Sequence, residues 1–150
     1  MQINVESKIK NYSINVQPDF EFLKELTSIS PKAVVIDKNV WTCYESVFAE
    51  YFKKEEIILF DAIETNKTIE SVLQMCDSVM SSNAKKNMTI ISIGGGIVQD
   101  VSGFLASILY RGVNWVFVPT TLLAQSDSCM GSKTSLNYKR FKNLLGSFFP

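Results

Sequence analysis

Three consecutive glycines, Gly94, Gly95 and Gly96, follow an apolar run, and Asp100 lies four residues beyond them. Glycine has no side chain, so bare backbone at the end of a strand lets an anionic group approach peptide N–H groups. A carboxylate in the first turn of the following helix could accept hydrogen bonds from ligand hydroxyls, or simply complement the helix dipole. The pattern predicts a phosphate or pyrophosphate site, with a plain strand-to-helix turn as the alternative.

These glycines match only part of the dinucleotide-binding fingerprint G-x-G-x-x-G. Gly94 and Gly96 occupy its first two glycine positions, whereas Gln99 occupies the third. If a nucleotide binds here, the turn that holds it therefore differs from that of an ordinary dinucleotide fold.

A second group of polar residues follows the next apolar run. That run ends in "VPTT", where Thr120 and Thr121 would place two hydroxyls at the same edge of a sheet, as ligand contacts or as helix caps. The segment 127–143 then offers carboxylate, ammonium and amide groups: Asp127, Lys133, Lys142 and Asn143. Its cluster of basic residues indicates either an anion site or a solvated run of charge.

Positioning these residues at one edge requires a regular arrangement of strands and helices. Short apolar, β-branched runs are predicted as strands at residues 32–37, 55–61, 88–96 and 112–121, with helices between them at 40–52, 68–80 and 101–110. An antiparallel hairpin is expected at residues 3–16, and a loop followed by a helix over the last thirty residues. The continuous apolar runs predict an α/β fold, Rossmann-like, with a mostly parallel sheet and helices on both faces.

The charge balance and the cysteine and histidine content limit the partners and metal sites expected for this chain. Fifteen basic residues balance fifteen acidic ones, so neither nucleic acid nor a membrane surface is an expected partner. Three cysteines match no metal or redox spacing, and with no apolar leader in the first ten residues the chain is expected to be cytoplasmic. The sequence has no histidine, which removes the commonest general base and the commonest metal ligand.

Four stretches together resemble the dehydroquinate synthase family of sugar phosphate cyclases: "GGGIVQDVSGFLAS", "YRGVNWVFVPTTLLAQSDSCMGSKTSLN", "KNLLGSFFP" and, in divergent form, "DAIETNK". The resemblance implies an NAD-binding α/β domain followed by a helical domain that carries a divalent metal, zinc or cobalt. It implies a lyase of the shikimate pathway that eliminates phosphate from a seven-carbon sugar acid phosphate and closes the ring by an intramolecular aldol step. NAD would be regenerated in each cycle, and the enzyme would be a homodimer.

The resemblance also implies roles for individual residues. NAD would contact Asp37, Glu64, Lys67, Gly95, Gly96, Asp100, Thr120, Thr121 and Lys142. The sugar phosphate would contact Asp127, Lys133 and Asn143, while Arg111 would reach the substrate phosphate across the dimer interface. Fixed cations suit phosphate and carboxylate groups, and NAD itself carries the redox step.

Two departures from the family pattern leave the substrate open. Gln99 and Ser132 stand where dehydroquinate synthases typically have glycine. The alternatives are a cyclase similar to 2-deoxy-scyllo-inosose or epi-valiolone synthases, an iron- or zinc-type NAD-dependent polyol dehydrogenase, and a non-catalytic nucleotide-binding domain.

The family's metal ligands are expected beyond residue 150, because this chain has no histidine to supply them. Residues 1–150 are therefore predicted to be the N-terminal NAD-binding domain of a two-domain enzyme. Without the helical metal-binding domain, the chain is expected to be inactive and to expose an apolar face.

Overall fold

The computed structural model describes residues 1–81 and 85–150. The chain begins with β1 (Gln2–Val5) and β2 (Tyr12–Asn15), which pair antiparallel as the predicted N-terminal hairpin. The longer elements then follow in this order: α1 (Phe22–Thr27), β3 (Lys32–Asp37), α2 (Lys38–Tyr51), β4 (Ile57–Phe60), α3 (Ile69–Ser81), β5 (Thr89–Gly94), α4 (Gly96–Ile108), β6 (Asn114–Pro119), α5 (Leu122–Ser126), β7 (Lys133–Tyr138) and β8 (Phe141–Phe148).

A four-stranded parallel sheet forms the centre, with strand order β4-β3-β5-β6. All six residues of β5 are buried, and so are the middle four of β3. Strands covered on both faces need apolar side chains in both directions, which explains their continuous rather than alternating apolar runs. The predicted α/β fold with a mostly parallel sheet is confirmed.

Two apolar clusters lie on opposite faces of this sheet. Ala33 and Val35 of β3 face α3 and α4, where Val72 and Leu105 are fully buried. The alternate residues of the same strand face α1 and α2, against side chains that include Leu23 and Phe48. Burying such side chains stabilises the fold by about 1.5–3 kcal/mol each. Helices therefore cover both faces, as predicted.

The prediction for the last thirty residues was wrong. Beyond the short helix α5, the structure has an antiparallel hairpin of β7 and β8 in place of the expected loop and helix. Thr134 and Leu136 of β7 are buried, whereas Lys133 is exposed, so burial follows the period of two that belongs to a strand. The hairpin packs on α4, and its tertiary contacts outweigh the weak helical pattern of this segment.

Two further features concern the helices of the described residues. Helix α1 has only six residues and was not predicted, because two buried leucines, Leu23 and Leu26, give too short a pattern to identify. Among the helices that the structure describes, none is long and apolar enough to cross a lipid bilayer.

Candidate functional site

The carboxyl edge of the parallel sheet brings the glycine turn and the paired threonines together. β5 ends at Gly94 and β6 at Pro119, and these two residues are direct partners in the sheet register. The Thr120 N–H donates to the Gly94 carbonyl at 2.9 Å, which holds the two strand ends side by side. Doubly wound sheets bind their ligands at this edge, outside the carboxyl ends of the strands.

The three glycines have different reasons to lack a side chain. A Cβ on Gly94 would lie 2.5 Å from Val98 Cγ2, and one on Gly95 would lie 2.9 Å from Thr121 Cγ2, so packing disfavours any larger residue. A Cβ on Gly96, in contrast, would meet no atom within 4 Å. Gly96 begins α4, and its bare backbone faces open space. An anionic ligand can approach the amides of the helix N-terminus at this position.

Asp100 lies one turn into α4, and three groups hold its carboxylate. Its Oδ2 is 2.5 Å from the Lys67 ammonium, while Oδ1 accepts hydrogen bonds from the Ser135 amide at 2.8 Å and the Ser135 hydroxyl at 3.2 Å. The Lys67 ammonium also donates to Asn143 Oδ1 at 2.6 Å. Lys67 and Asp100, which the resemblance assigns to NAD, and Asn143, which it assigns to the substrate, therefore meet in one network.

The burial of this network shows why its charges must be paired. Lys67 is only 7% exposed, and a buried ammonium is costly unless an opposite charge and hydrogen-bond acceptors surround it. Asp100 supplies the charge and Asn143 supplies a second acceptor. A carboxylate offers about four lone-pair positions, so Asp100 keeps capacity to accept a hydrogen bond from a ligand hydroxyl.

Asn137 is a site residue that the sequence reasoning left out. Its Nδ2 donates to Glu64 Oε1 at 2.9 Å, and its Oδ1 accepts from the Asn143 backbone amide at 2.9 Å. Asn143 has a φ of +55°, a left-handed conformation that asparagine tolerates better than most residues, and the bond from its amide supports that geometry. Asn137 thus joins the loop that carries Glu64 to the hairpin. The short pattern "KTSLNY" is the signal in the sequence that could have indicated a strand here.

The same hydrogen bond controls the ionisation of Glu64. The bond from Asn137 holds the pKa of the Glu64 carboxyl below its ordinary value, and the Lys142 charge acts in the same direction while burial opposes it. Lys142 Nζ lies 3.7 Å from Glu64 Oε1, and both side chains are largely exposed. A surface ion pair of this kind contributes little, which agrees with the hydrogen bond being the larger cause.

Replacing Asn137 with alanine is therefore expected to raise the pKa of Glu64, and an NMR titration of its carboxyl carbon measures the shift. Because the folded-state pKa is depressed, this contact contributes stability above the unfolded-state pKa, and the contribution is lost as the pH falls through the folded-state pKa. Lys142→Ala is the matched variant and should raise the pKa less. A larger rise in Lys142→Ala than in Asn137→Ala would show that charge rather than hydrogen bonding dominates.

Two cavities lie beside this network. A cleft of about 310 Å³ is bordered by Glu64, Thr68, Asn137 and the basic turn of the hairpin, including Lys142. A smaller pocket of about 150 Å³ contains the two predicted substrate contacts that lie on the loop before β7. Its lining residues are Gln99, Asp100, Asp127, Ser128, Gly131 and Lys133. The structure therefore brings Asp127 and Lys133 to the same pocket as Asp100.

Three other predicted residues lie at the carboxyl edge, and two of them cap helices. The Asp37 carboxylate accepts from the Asn39 amide at 2.8 Å and caps α2, and the Thr121 hydroxyl accepts from the Ala124 amide at 3.2 Å and caps α5. Thr120 is exposed. Helix capping is one of the two roles considered for Thr121, and neither cap prevents its residue from contacting a ligand as well.

Arg111 lies far from the other predicted site residues of the same chain. It follows the C-terminal end of α4, whereas the glycine turn and Asp100 lie at the N-terminal end, and thirteen helical residues span about 20 Å. Tyr110, Arg111 and Gly112 all have positive φ, so a tight turn exposes this arginine at the opposite edge of the sheet. Any contact between Arg111 and a ligand at the glycine turn must come from a second chain.

The divalent metal that the resemblance implies would need a cluster of suitable ligand side chains. Within residues 1–81 and 85–150, no three His, Cys, Asp or Glu side chains form a group that could hold a metal ion. The donor set of this chain therefore does not fit the divalent metal that the resemblance implies, and no chemical step is assigned to a metal here.

The parallel sheet, the glycine turn and the fixed acidic residue at its carboxyl edge define an α/β domain of the nucleotide-binding class. A family model described as the N-terminal part of 3-dehydroquinate synthase matches residues 57–150. The chain belongs to the 3-dehydroquinate synthase family.

Curated relatives agree with this assignment. The chain is 40% identical over 128 residues to the 3-dehydroquinate synthase of Clostridium tetani, covering 83% of this chain and 34% of that protein. It is 37% identical over 150 residues to the enzyme of Campylobacter hominis, covering 99% of this chain and 42% of the relative. The chain thus spans less than half the length of the curated relatives it matches.

Solved structures show the same fold in two sister enzymes. One is 2-deoxy-scyllo-inosose synthase in complex with carbaglucose-6-phosphate, NAD⁺ and Co²⁺ (TM-score 0.85, 26% identity, 100% of this chain and 44% of that one). The other is 2-epi-5-epi-valiolone synthase from Streptomyces hygroscopicus with NAD⁺ and Zn²⁺ bound (TM-score 0.79, 28% identity, 97% of this chain and 43% of that one). The α/β fold predicted from the sequence is therefore shared with both of these enzymes.

Proposed function

We propose that this chain is the NAD-binding half of a sugar phosphate cyclase of the 3-dehydroquinate synthase type. The observation that carries the proposal is the open backbone at Gly96 beside the fixed carboxylate of Asp100. The resemblance assigns both residues to NAD, and both solved neighbours hold NAD⁺. The site has room for a phosphate at the helix N-terminus and an acceptor for a sugar hydroxyl one turn away.

In this proposal, each contact to NAD follows from the local chemistry. The backbone of Gly95 and Gly96 accommodates the pyrophosphate, and Asp100, held in place by its ion pair with Lys67, accepts from a ribose hydroxyl. The remaining contacts border the 310 Å³ cleft or the strand ends: Glu64 and Lys142 at the cleft, and Asp37, Thr120 and Thr121 at the carboxyl edge. When bound, NAD supplies reversible oxidation of a substrate hydroxyl.

The substrate contacts are proposed on the same pocket. Asp127 can accept from substrate hydroxyls, and the exposed Lys133 offers a cation to a carboxylate or phosphate group. Asn143 uses its Oδ1 for Lys67, which leaves its Nδ2 as the donor toward a substrate. The position of Arg111 fits a phosphate contact made in the partner subunit of a homodimer. The substrate would be a seven-carbon sugar acid phosphate.

A second domain is part of the proposal. Leu122 and Leu123 of α5 are 82% and 71% exposed directly after the strand end that carries the threonines. Adjacent exposed leucines next to a ligand site are suited to contact with another domain. That domain would close over NAD, carry the metal and complete a cytoplasmic enzyme, and this chain by itself would lack activity.

A cyclase that acts on a six-carbon sugar phosphate is the second candidate. The observation that favours it is the close structural match to 2-deoxy-scyllo-inosose synthase in complex with carbaglucose-6-phosphate. The two candidates make different predictions for the complete enzyme, since only one of the two sugar phosphates should lead to release of inorganic phosphate. A polyol dehydrogenase would instead accumulate NADH, because a cyclase returns its NAD to the oxidised state.

Calorimetric titration of the chain with NAD tests the cofactor site. Saturable binding is expected, and Gly96→Ala should weaken it because a methyl group would occupy the open space at the helix N-terminus. Gly96→Ala introduces no clash and should leave the melting temperature unchanged or slightly higher. Lys142→Ala should also weaken binding, while Lys54→Ala, an exposed lysine of another surface, is the control. Equal affinity in Gly96→Ala and the parent chain would contradict the proposed position of the pyrophosphate.

A further inference from the structure

The loop that carries the two proposed substrate contacts has little structure of its own. It begins at Asp127, after α5, and ends at Lys133, where β7 starts. Between them lies one 3-10 turn, Ser128–Met130, and then Ser132 with a φ of +52°. A single 3-10 turn is too short to be stable alone, so contacts from elsewhere must set its position. We call this segment the 127–133 loop.

Two side chains from distant parts of the sequence hold the carbonyls of this loop. Gln99 Nε2 donates to the Ser128 carbonyl at 2.6 Å, and the Tyr12 hydroxyl donates to the Met130 carbonyl at 2.6 Å. Gln99 comes from the first turns of α4, and Tyr12 comes from the N-terminal hairpin. The loop is thus held from two elements that neither precede nor follow it directly.

Gln99 has a position in the core that packing does not explain. It is only 3% exposed, and among the described residues its Oε1 and the Ser128 Oγ have no hydrogen-bond partner. An unpaired buried polar atom is unfavourable, and an apolar side chain of the same shape would avoid that cost. The hydrogen bond from Gln99 Nε2 to the Ser128 carbonyl gives a reason for an amide side chain at this buried position.

Gln99 and Asp100 are consecutive residues of α4, and both line the 150 Å³ pocket. Asp100 fixes Ser135 of β7 through its carboxylate, and Gln99 fixes the loop that leads into β7. Asp127 and Lys133 line the pocket together with both residues. The distance between the proposed cofactor contact and the proposed substrate contacts therefore depends on Gln99.

We propose that Gln99 and Tyr12 are positioning residues, which hold the 127–133 loop so that Asp127 and Lys133 face Asp100. Neither side chain touches the ligand in this role. The role in ligand binding rests on the proposed function. The effect of the two hydrogen bonds on the order of the loop can be measured independently of any ligand.

Amide hydrogen exchange of the parent chain, Tyr12→Phe, Gln99→Met and the double variant tests the proposal. Tyr12→Phe removes one hydroxyl, and Gln99→Met keeps the side-chain length without a donor. Exchange in the 127–133 loop should rise several-fold in each variant and most in the double variant, while the amides of β3 and β5 keep their protection. Tyr44→Phe, a hydroxyl removed from α2 on the other face of the sheet, is the control and should change nothing.

Titration of the same variants with inorganic phosphate, the anion that the exposed Lys133 is proposed to contact, separates positioning from a purely structural role. At melting temperatures close to that of the parent, affinity for phosphate should fall by about tenfold, the effect typical of losing a residue that orients a direct contact. A loosened loop with unchanged phosphate affinity would overturn the positioning role, and so would unchanged loop exchange. If the parent itself binds neither phosphate nor NAD while the loop still loosens in the variants, the proposed function fails and the holding contacts stand.

A pH dependence confined to the loop, with the protection of β3 and β5 unchanged, provides a signature that general destabilisation would not produce. In Gln99→Glu, a protonated carboxyl can donate to the Ser128 carbonyl, whereas the ionised form can only repel it. Loop protection, corrected for the intrinsic exchange rate, should therefore recover in this variant as the pH falls, and the parent should show no such recovery. The same low protection in Gln99→Glu at every pH at which the chain stays folded would count against the bond to Ser128 as the holding contact.

Discussion

Replacing Asp100 with alanine is expected to lower the free energy of unfolding by about 3 kcal/mol, because it leaves the Lys67 ammonium buried without an opposite charge. The effect should exceed the loss of one hydrogen bond, since Asp100 also accepts two bonds from Ser135 of the hairpin. Urea denaturation of the parent and the variant measures the difference. NAD binding should be lost as well, because the hydroxyl acceptor is gone.

A double-mutant cycle distinguishes the pairing from other causes. The cycle consists of Lys67→Met, Asp100→Leu and the double variant. The double variant removes both charges together, so it should recover much of the stability lost in Asp100→Leu alone. The exposed Lys142 gives the contrast, because Lys142→Ala breaks only a surface ion pair and should change stability by less than about 1 kcal/mol. Equal losses in Asp100→Ala and Lys142→Ala would contradict the burial of the network.

Replacing Gly146 with alanine is expected to separate the two strands of the hairpin and so open the site without unfolding the sheet. Gly146 pairs with Ser135, and a Cβ on it would overlap the carbonyl oxygen of Thr134. Because both partners are backbone, no change of rotamer can relieve the overlap, and the cost should be about 1–3 kcal/mol. Ser135 and Asn143 would move away from Asp100 and Lys67.

Hydrogen exchange resolves this local effect from global unfolding. In Gly146→Ala, the amides of β7 and β8 should lose protection while those of β5 keep it. Gly131→Ala is the matched variant, since a Cβ there meets no atom closer than 3.7 Å and its φ of −90° suits alanine. Uniform loss of protection across the sheet in Gly146→Ala would show that the hairpin is inseparable from the core.

The central fold could be predicted because its signals are local and strong. Each buried strand is a short run of β-branched residues, and each long helix repeats its apolar residues with helical period. The hairpin of β7 and β8 could not be predicted in the same way. Its strands are fixed by packing on α4, where Leu136 is buried, and by the polar partners Lys67 and Asp100, all of which lie far away in sequence.

Residue types identified part of the site, but the hydrogen bonds that join its residues could be found only from the folded structure. Gly96 and Asp100 could be selected because a glycine after a strand and a carboxylate near the start of the next helix have a chemical meaning of their own. Asn137 and Ser135 could not, since their importance comes only from facing Glu64 and Asp100 across the hairpin. Gln99 stands where the family typically has glycine, yet its contact with Ser128 depends on the path of a loop 29 residues away.

The β7–β8 hairpin lies after all four sheet strands in the order of synthesis. A ribosome therefore produces the whole parallel sheet, with Lys67 and Asp100 at its edge, before it produces the strands that cover them. Domains begin to fold as they emerge, so the nascent chain can form its sheet while these two charges are still hydrated. The contacts that the hairpin contributes to the proposed NAD site are therefore added after the sheet, too late for NAD to assist the early stages of folding through them.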